Sequence, residues 1–137
     1  MKKLLSTLSL LLLILIILTA CSPKPLPDKF DEGKVKSSAE NIITLFSNEE
    51  YEKITNDFIR EDLKAALTAD VLSGAKSKIM PTAGNLVEFS NSSIVAQKDK
   101  AGNDFVAAVV VAKYKDQTVT YTLSFDENMK LIGFYLK

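Results

Sequence analysis

Between Asp31 and Lys137 the spacing of apolar residues changes once, at Pro81–Gly84. Ahead of that point apolar residues recur three and four apart, the period of a helix with one buried face. Beyond it they alternate, the period of a strand with one buried side. Helices gathered first and strands gathered last do not form an alternating parallel α/β fold. They predict an α+β domain, with N-terminal helices packed on one face of a curved antiparallel four-stranded sheet.

The helical half divides into segments. Val35, Ala39, Ile42, Ile43 and Phe46 lie on one face of a helix over 31–47. Ser47-Asn48-Glu49-Glu50 has the form of a capping box, with Ser47 as cap and Glu50 reaching back. A short second helix carries Tyr51, Ile54 and Phe58, and Leu63, Ala66 and Leu67 continue its pattern. Thr68 is placed to cap a third helix bearing Val71, Leu72, Ala75 and Ile79, with Asp70 in its first turn.

Four strands follow. The first spans 86–97, with a soft patch at Asn91-Ser92-Ser93 that suits a bulge. The second, 105–114, is rich in Val and Ala on both faces and reads as a central strand. In the third, Val119, Tyr121, Leu123 and Phe125 alternate with Thr118, Thr120, Thr122 and Ser124. The hydroxyl stripe is either a binding face or an ordinary solvated one. In the fourth, Ile132, Phe134 and Leu136 interleave with Leu131, Gly133 and Tyr135. The short polar connections between strands read as hairpin turns, Asp126-Glu127-Asn128 among them.

The N-terminus is different in kind. Lys2 and Lys3 precede an apolar run from Leu4 to Leu18, and no acidic residue occurs before Asp28. The run is shorter than the roughly 20 residues of a spanning helix and has the organisation of an export signal. Its end, Leu18-Thr19-Ala20-Cys21, resembles the bacterial lipobox. The resemblance implies diacylglycerol on the Cys21 sulfur and cleavage between Ala20 and Cys21. Two acyl chains give a stable anchor. The alternative is an ordinary signal peptide followed by a chance Cys. Residues 1–20 are thus read as a lipoprotein signal peptide, 21–30 as the lipidated Cys and a Pro-rich linker, and 31–137 as the folded domain. The linker is either an extended spacer that lifts the domain off the membrane or a disordered tail.

Composition now carries meaning. The chain has 17 basic and 17 acidic residues, no His and one Cys. Removal of Lys2 and Lys3 would leave fifteen basic against seventeen acidic residues, which gives no basis for a nucleic-acid partner. The absence of His and the single Cys argue against a metal centre or a cofactor.

From about Ala39 to Lys137 the chain resembles the bacterial family called domain of unknown function 3887. Asn48-Glu49-Glu50-Tyr51, then Phe58, then Leu63-Lys64 match its helical part. Its last hairpin is matched by Leu123-Ser124-Phe125-Asp126, then Lys130-Leu131-Ile132-Gly133-Phe134. The resemblance implies a cone of helices and curved sheet like that of nuclear-transport-factor-2-like folds, in lipoproteins or secreted proteins. It brings no established catalytic residues.

Cone folds host isomerases and dehydratases, which set a carboxylate and a Tyr or second acid inside an apolar pocket. Tyr121, Phe125, Phe134 and Tyr135 are the candidate pocket lining, with Tyr121 as the hydroxyl; the favoured reading of Tyr121 is a core residue with its hydroxyl at the edge. An interior filled by Phe105, Val109, Tyr121, Phe125 and Phe134 would weigh against catalysis. Glu88 alternates with apolar neighbours and is expected in solvent. Lys76, Lys78, Lys98 and Lys100 form either a weak basic patch or a solvated surface. Asp126-Glu127-Asn128 lacks the last ligand of a calcium loop. The expectation is a non-enzymatic protein anchored through Cys21 at the extracytoplasmic face of a bacterial cell membrane, binding a protein segment or a small apolar ligand. The alternative is a small cone-fold isomerase or dehydratase.

Overall fold

The computed structural model describes residues 24–137, so the anticipated signal peptide and Cys21 lie outside the described residues. Helices α1 (Glu32–Ser47), α2 (Tyr51–Asp57) and α3 (Ala69–Ile79), with a 3-10 turn at Glu61–Leu63 before α3, precede all strands. Strands β1 (Leu86–Lys98), β2 (Asp104–Tyr114), β3 (Thr118–Phe125) and β4 (Leu131–Leu136) form an antiparallel meander in the order β1-β2-β3-β4. Three helices thus pack on a four-stranded antiparallel sheet, the α+β arrangement that the change of period implies.

α1 is the spine of the core. Asp31 caps it, its carboxylate accepting from the Lys34 amide at 2.8 Å. Val35, Ala39, Ile42, Ile43 and Phe46 are all fully buried against the sheet. Phe46 sits at an aromatic junction, its ring centroid 5.7 Å from Tyr51, 6.0 Å from Tyr121 and 5.0 Å from Phe134.

The expected capping box at Ser47 does not form. Ser47 is the last residue of α1, and its hydroxyl donates back to the Ile43 carbonyl at 2.7 Å. Glu49 takes a left-handed φ of 64°. The Glu50 amide then reaches the Leu45 carbonyl at 2.9 Å and the Glu49 amide the Phe46 carbonyl at 3.2 Å. This Schellman motif satisfies the end of α1 and uses the residues a cap for α2 would need. Glu50 precedes α2 without a side-chain cap.

Thr68 does cap α3, accepting from the Val71 amide at 3.3 Å. α3 packs mainly on α2, so only a narrow strip of it is covered. Leu72 is buried and Ala75 and Ile79 touch the core, but Val71 is 48% exposed, not part of the apolar face. Leu63 packs from the 3-10 turn and Leu67 from the loop between that turn and α3, neither from a continued helix.

The sheet alternates as expected along β2 and β3. Val106, Ala108, Val110, Ala112, Tyr114, Val119, Tyr121, Leu123 and Phe125 face the helices and are buried. The Thr120, Thr122 and Ser124 stripe pairs with Val111, Val109 and Ala107 on the other face. Phe105 and Val109 therefore point away from Tyr121 and do not fill the helix-facing interior.

Two details of register differ from the simple alternation. In β1 the irregularities fall at Val87 and Ser90, just before the Asn91–Ser93 patch. In β4 a register shift separates the Ser124–Gly133 pair from the Phe125–Leu131 pair. One extra residue exchanges the faces of a strand. Leu131 therefore enters the core with Phe134 and Leu136, and Ile132 does not.

The chain is already docked before α1. Leu26 packs on the core, Phe30 is buried, and the Phe30 amide bonds the Pro27 carbonyl at 2.9 Å. From Leu26 onward the Pro-rich segment belongs to the fold and is not a spacer. Asp99 and Asp126 begin matching turns. Each carboxylate accepts from the amides two and four residues on, and Gly102 and Met129 take the positive φ.

Candidate functional site

At the C-terminal end of α1 the helices part from the sheet and leave an open groove of about 620 Å³. α1 supplies Ser47, the following turn supplies Glu49, and α2 opens with Tyr51. α3 contributes Ser73 and Lys76 across from them. Met80 and the loop through Gly84 close the side nearest the sheet. The loop approaches closely because residue 84 is Gly. It has φ +76°, and a Cβ there would lie 2.9 Å from the Lys115 Cβ.

Beneath the groove runs a line of hydroxyls. Ser47 Oγ lies 2.7 Å from the Tyr114 hydroxyl, which lies 2.6 Å from the Tyr121 hydroxyl, which lies 3.3 Å from Met80 Sδ. With the Ser47–Ile43 carbonyl bond, that makes four contacts for three hydroxyl protons. The thioether is the weakest acceptor among them. Ser47 donates to the Ile43 carbonyl and Tyr121 to the Met80 thioether, and between the hydroxyls either oxygen of each pair can be the donor. Hydroxyls bonded in such a chain polarise one another. Burial pushes the Tyr121 hydroxyl far above its ordinary value, and its bond to Tyr114 adds to the shift, so it remains a neutral donor.

Charge enters only at the rim. Lys76 Nζ donates to the Ser47 carbonyl at 2.8 Å and to Glu49 at 3.0 Å. Partial burial raises the Tyr51 hydroxyl, as does the nearby Glu49 charge, while its bond with Ser73 acts the other way. The groove thus offers a cation, a carboxylate and several hydroxyls around a Met80 wall. That set suits recognition through hydrogen bonds. The hydroxyl line ends on a backbone carbonyl, and its bonds are to hydroxyls, that carbonyl and a thioether, none to a carboxylate.

The residues singled out from sequence are dispersed. Ala20 and Cys21 lie outside the described residues. Tyr121 and Phe125 are fully buried core, and Phe134 packs half-buried beside Tyr121 at 6.1 Å. Tyr135 is 59% exposed on the opposite sheet face, because adjacent strand residues point opposite ways. The four therefore do not line one pocket. Glu88 is exposed and pairs with Lys113 at 2.8 Å. Lys76 and Lys98 do not share a patch; Lys76 meets Glu49 at the groove, whereas Lys98 meets Asp104 at the opposite end. Asp126-Glu127-Asn128 is a hairpin turn held by Asp126. Among the described residues no three Cys, Asp or Glu side chains gather as metal ligands, and no helix is long and apolar enough to cross a membrane.

Ser47, Glu49, Lys76 and Met80 have no site signal of their own in the sequence. Tyr114 and Tyr121 do. Both fall on the buried parity of strands joined by a short turn, and a buried Tyr hydroxyl needs a partner.

Comparison with known proteins agrees with this architecture. The NMR structure of a protein from Ruminococcus gnavus ATCC 29149 is similar, with TM-score 0.71 and 28% identity over 82% of this chain and 96% of that one. No curated protein matches the chain. Residues 39–134 match the family described as "Protein of unknown function (DUF3887)". With that match spanning most of its length, the chain belongs to the DUF3887 family.

Proposed function

We propose that this is a lipid-anchored binding module of the bacterial cell envelope, in which Cys21 carries the lipid and the groove at the end of α1 takes the ligand. The groove is the observation that carries the binding half. It is open, holds about 620 Å³, and joins a neutral hydroxyl line to the Lys76–Glu49 pair. Volumes of this order accommodate a small molecule or a short protein segment. The lined-up polar groups favour a ligand with hydrogen-bonding edges over the purely apolar one anticipated from the sequence. The anchor half is supported by Leu18-Thr19-Ala20-Cys21 after a short apolar run. The reading includes cleavage before Cys21, export to the extracytoplasmic face, and a cone-like variant of the helix-on-sheet fold. It assigns no catalytic role, since burial, with the bond to Tyr114, holds the Tyr121 hydroxyl neutral and no carboxylate is bonded to it.

Photo-crosslinking in cells tests the binding half. A photoreactive residue at Ser77, on the groove rim, is expected to give a discrete adduct that weakens with Lys76→Ala. The same probe at Asn128, at the far end, is expected to give none. Identical adduct patterns from both positions would contradict the groove as the binding site. For the anchor, Cys21→Ala is expected to abolish incorporation of labelled fatty acid.

A further inference from the structure

We propose that the end of the domain formed by Leu26–Phe30 and the β1–β2 and β3–β4 turns rests on the headgroup surface of a lipid bilayer, with the groove facing away from it. The proposal rests on acylation of Cys21. What adds to that reading is the length of the tether. The fold holds the chain from Leu26 onward: Leu26 packs on the core, Phe30 is buried, and Lys29 pairs with Asp104 and Glu127. Lys24 and Pro25 share a cleft with Ala96, Gln97 and Lys98 at the end of β1. Only five peptide steps therefore separate Cys21 from a fixed point, at most about 17 Å when fully extended.

The groove lies at the other end of α1. That helix has 16 residues, a length of about 24 Å. Its start adjoins Lys29, and its last residue, Ser47, lines the groove. To set the groove on the bilayer, Leu26 would have to stand about 24 Å above it, beyond the reach of a tether of about 17 Å. A tether of this length does not reach a bilayer set against the groove, whereas it reaches one set against the two turns.

The chemistry of that end fits a headgroup layer without insertion. Its tips, Lys98–Asn103 and Asp126–Lys130, hold no exposed large apolar side chain. Lys29, Lys98 and Arg60 each already meet a carboxylate, and within the tips Lys98, Lys100 and Lys130 are matched by Asp99, Asp126 and Glu127. Paired charge gives little attraction to anionic lipid, so the orientation is set by the tether.

The test uses the full acylated protein in vesicles of phosphatidylcholine, with and without phosphatidylglycerol. A fluorophore is placed through Ala101→Cys at the β1–β2 tip or Thr82→Cys beside the groove. Cys21 is the sole native Cys and is blocked by lipid, so each variant offers one thiol. With a headgroup-located quencher, the label at 101 is expected to be quenched several-fold more than the label at 82, equally in both lipids. Equal quenching, stronger quenching at 82, or a preference that needs phosphatidylglycerol would overturn the proposal. The mass of Cys21 separates the two ideas. A bare thiol contradicts the anchor itself, whereas acylated Cys21 with the wrong quenching order contradicts the orientation alone.

Discussion

At the turn end of the domain, Lys29, Lys98 and Arg60 meet Asp104, Glu127 and Asp126 in water, and Asp99 and Asp126 fold their own turns. At the groove end, Ser47, Tyr114 and Tyr121 are neutral, and the two tyrosines are buried beneath packed helices. The two ends hold comparable numbers of polar contacts but differ in what each contact is worth. Exposed ion pairs typically contribute under about 1 kcal/mol and are weakened further by salt. Buried, aligned hydroxyls depend on the packing around them, and a lost partner leaves a group that water cannot reach. The groove end should therefore be the sensitive one.

Phe46→Ala should show the largest effect. It removes the ring shared by Tyr51, Tyr121 and Phe134, and the expected loss is about 3–5 kcal/mol in urea unfolding. A loss below about 1 kcal/mol would mean that the aromatic junction is not a packed core.

Gly84 and Gly102 put the same substitution at the two ends. Both have positive φ, but a Cβ at 84 would strike Lys115 while at 102 it meets open space. Gly102→Ala is expected to cost about 1–2 kcal/mol from backbone strain alone, and Gly84→Ala distinctly more. Equal costs would erase the contrast between the ends.

Tyr121→Phe removes the innermost hydroxyl of the line and should cost about 1 kcal/mol. With Tyr114→Phe it should show a coupling of about 0.5 kcal/mol or more in a double-mutant cycle. Additive losses would mean that the two hydroxyls act independently.

The smallest effect is expected at the turn end, in acid. Bonds from Asn103, with its backbone, hold the Asp99 carboxyl below its usual range, and bonds from Lys98 and Lys29 do the same for Asp104. A carboxyl lowered in the folded state contributes stability above its unfolded pKa of about 3.9, and that contribution is lost as pH falls through the lower folded value. Stability should thus be flat from neutral pH to about 5 on this account and fall below about 4. Asp99→Asn should make the acid slope shallower, as followed by urea midpoints against pH; an unchanged slope would show that this turn adds nothing to it.

The fold was legible because each half carries one clean period: Val35, Ala39, Ile42, Ile43 and Phe46 for α1, and Val119, Tyr121, Leu123 and Phe125 for β3. Where reading failed, a local pattern had two uses. Ser47–Glu50 satisfies a capping-box pattern, but the left-handed Glu49 spends those residues on the end of α1. In β4 one register shift moved Leu131 inward, and alternation alone does not announce a shift. The site was the least legible part. Its groove exists because α3 packs mainly on α2, and Lys76 meets Ser47 across 29 residues of sequence. No local pattern encodes a contact of that separation. The buried parity of Tyr114 and Tyr121 was readable, though their shared line of protons was not.

The proposed division between an anchored end and a binding end depends above all on the state of Cys21. The mass of the N-terminal peptide of the mature protein, isolated from bacterial membranes, tests it most directly. The expected peptide begins at Cys21 and carries diacylglycerol in thioether linkage to its sulfur. A peptide that begins at another residue, or one with Cys21 as an unmodified thiol, would contradict the account.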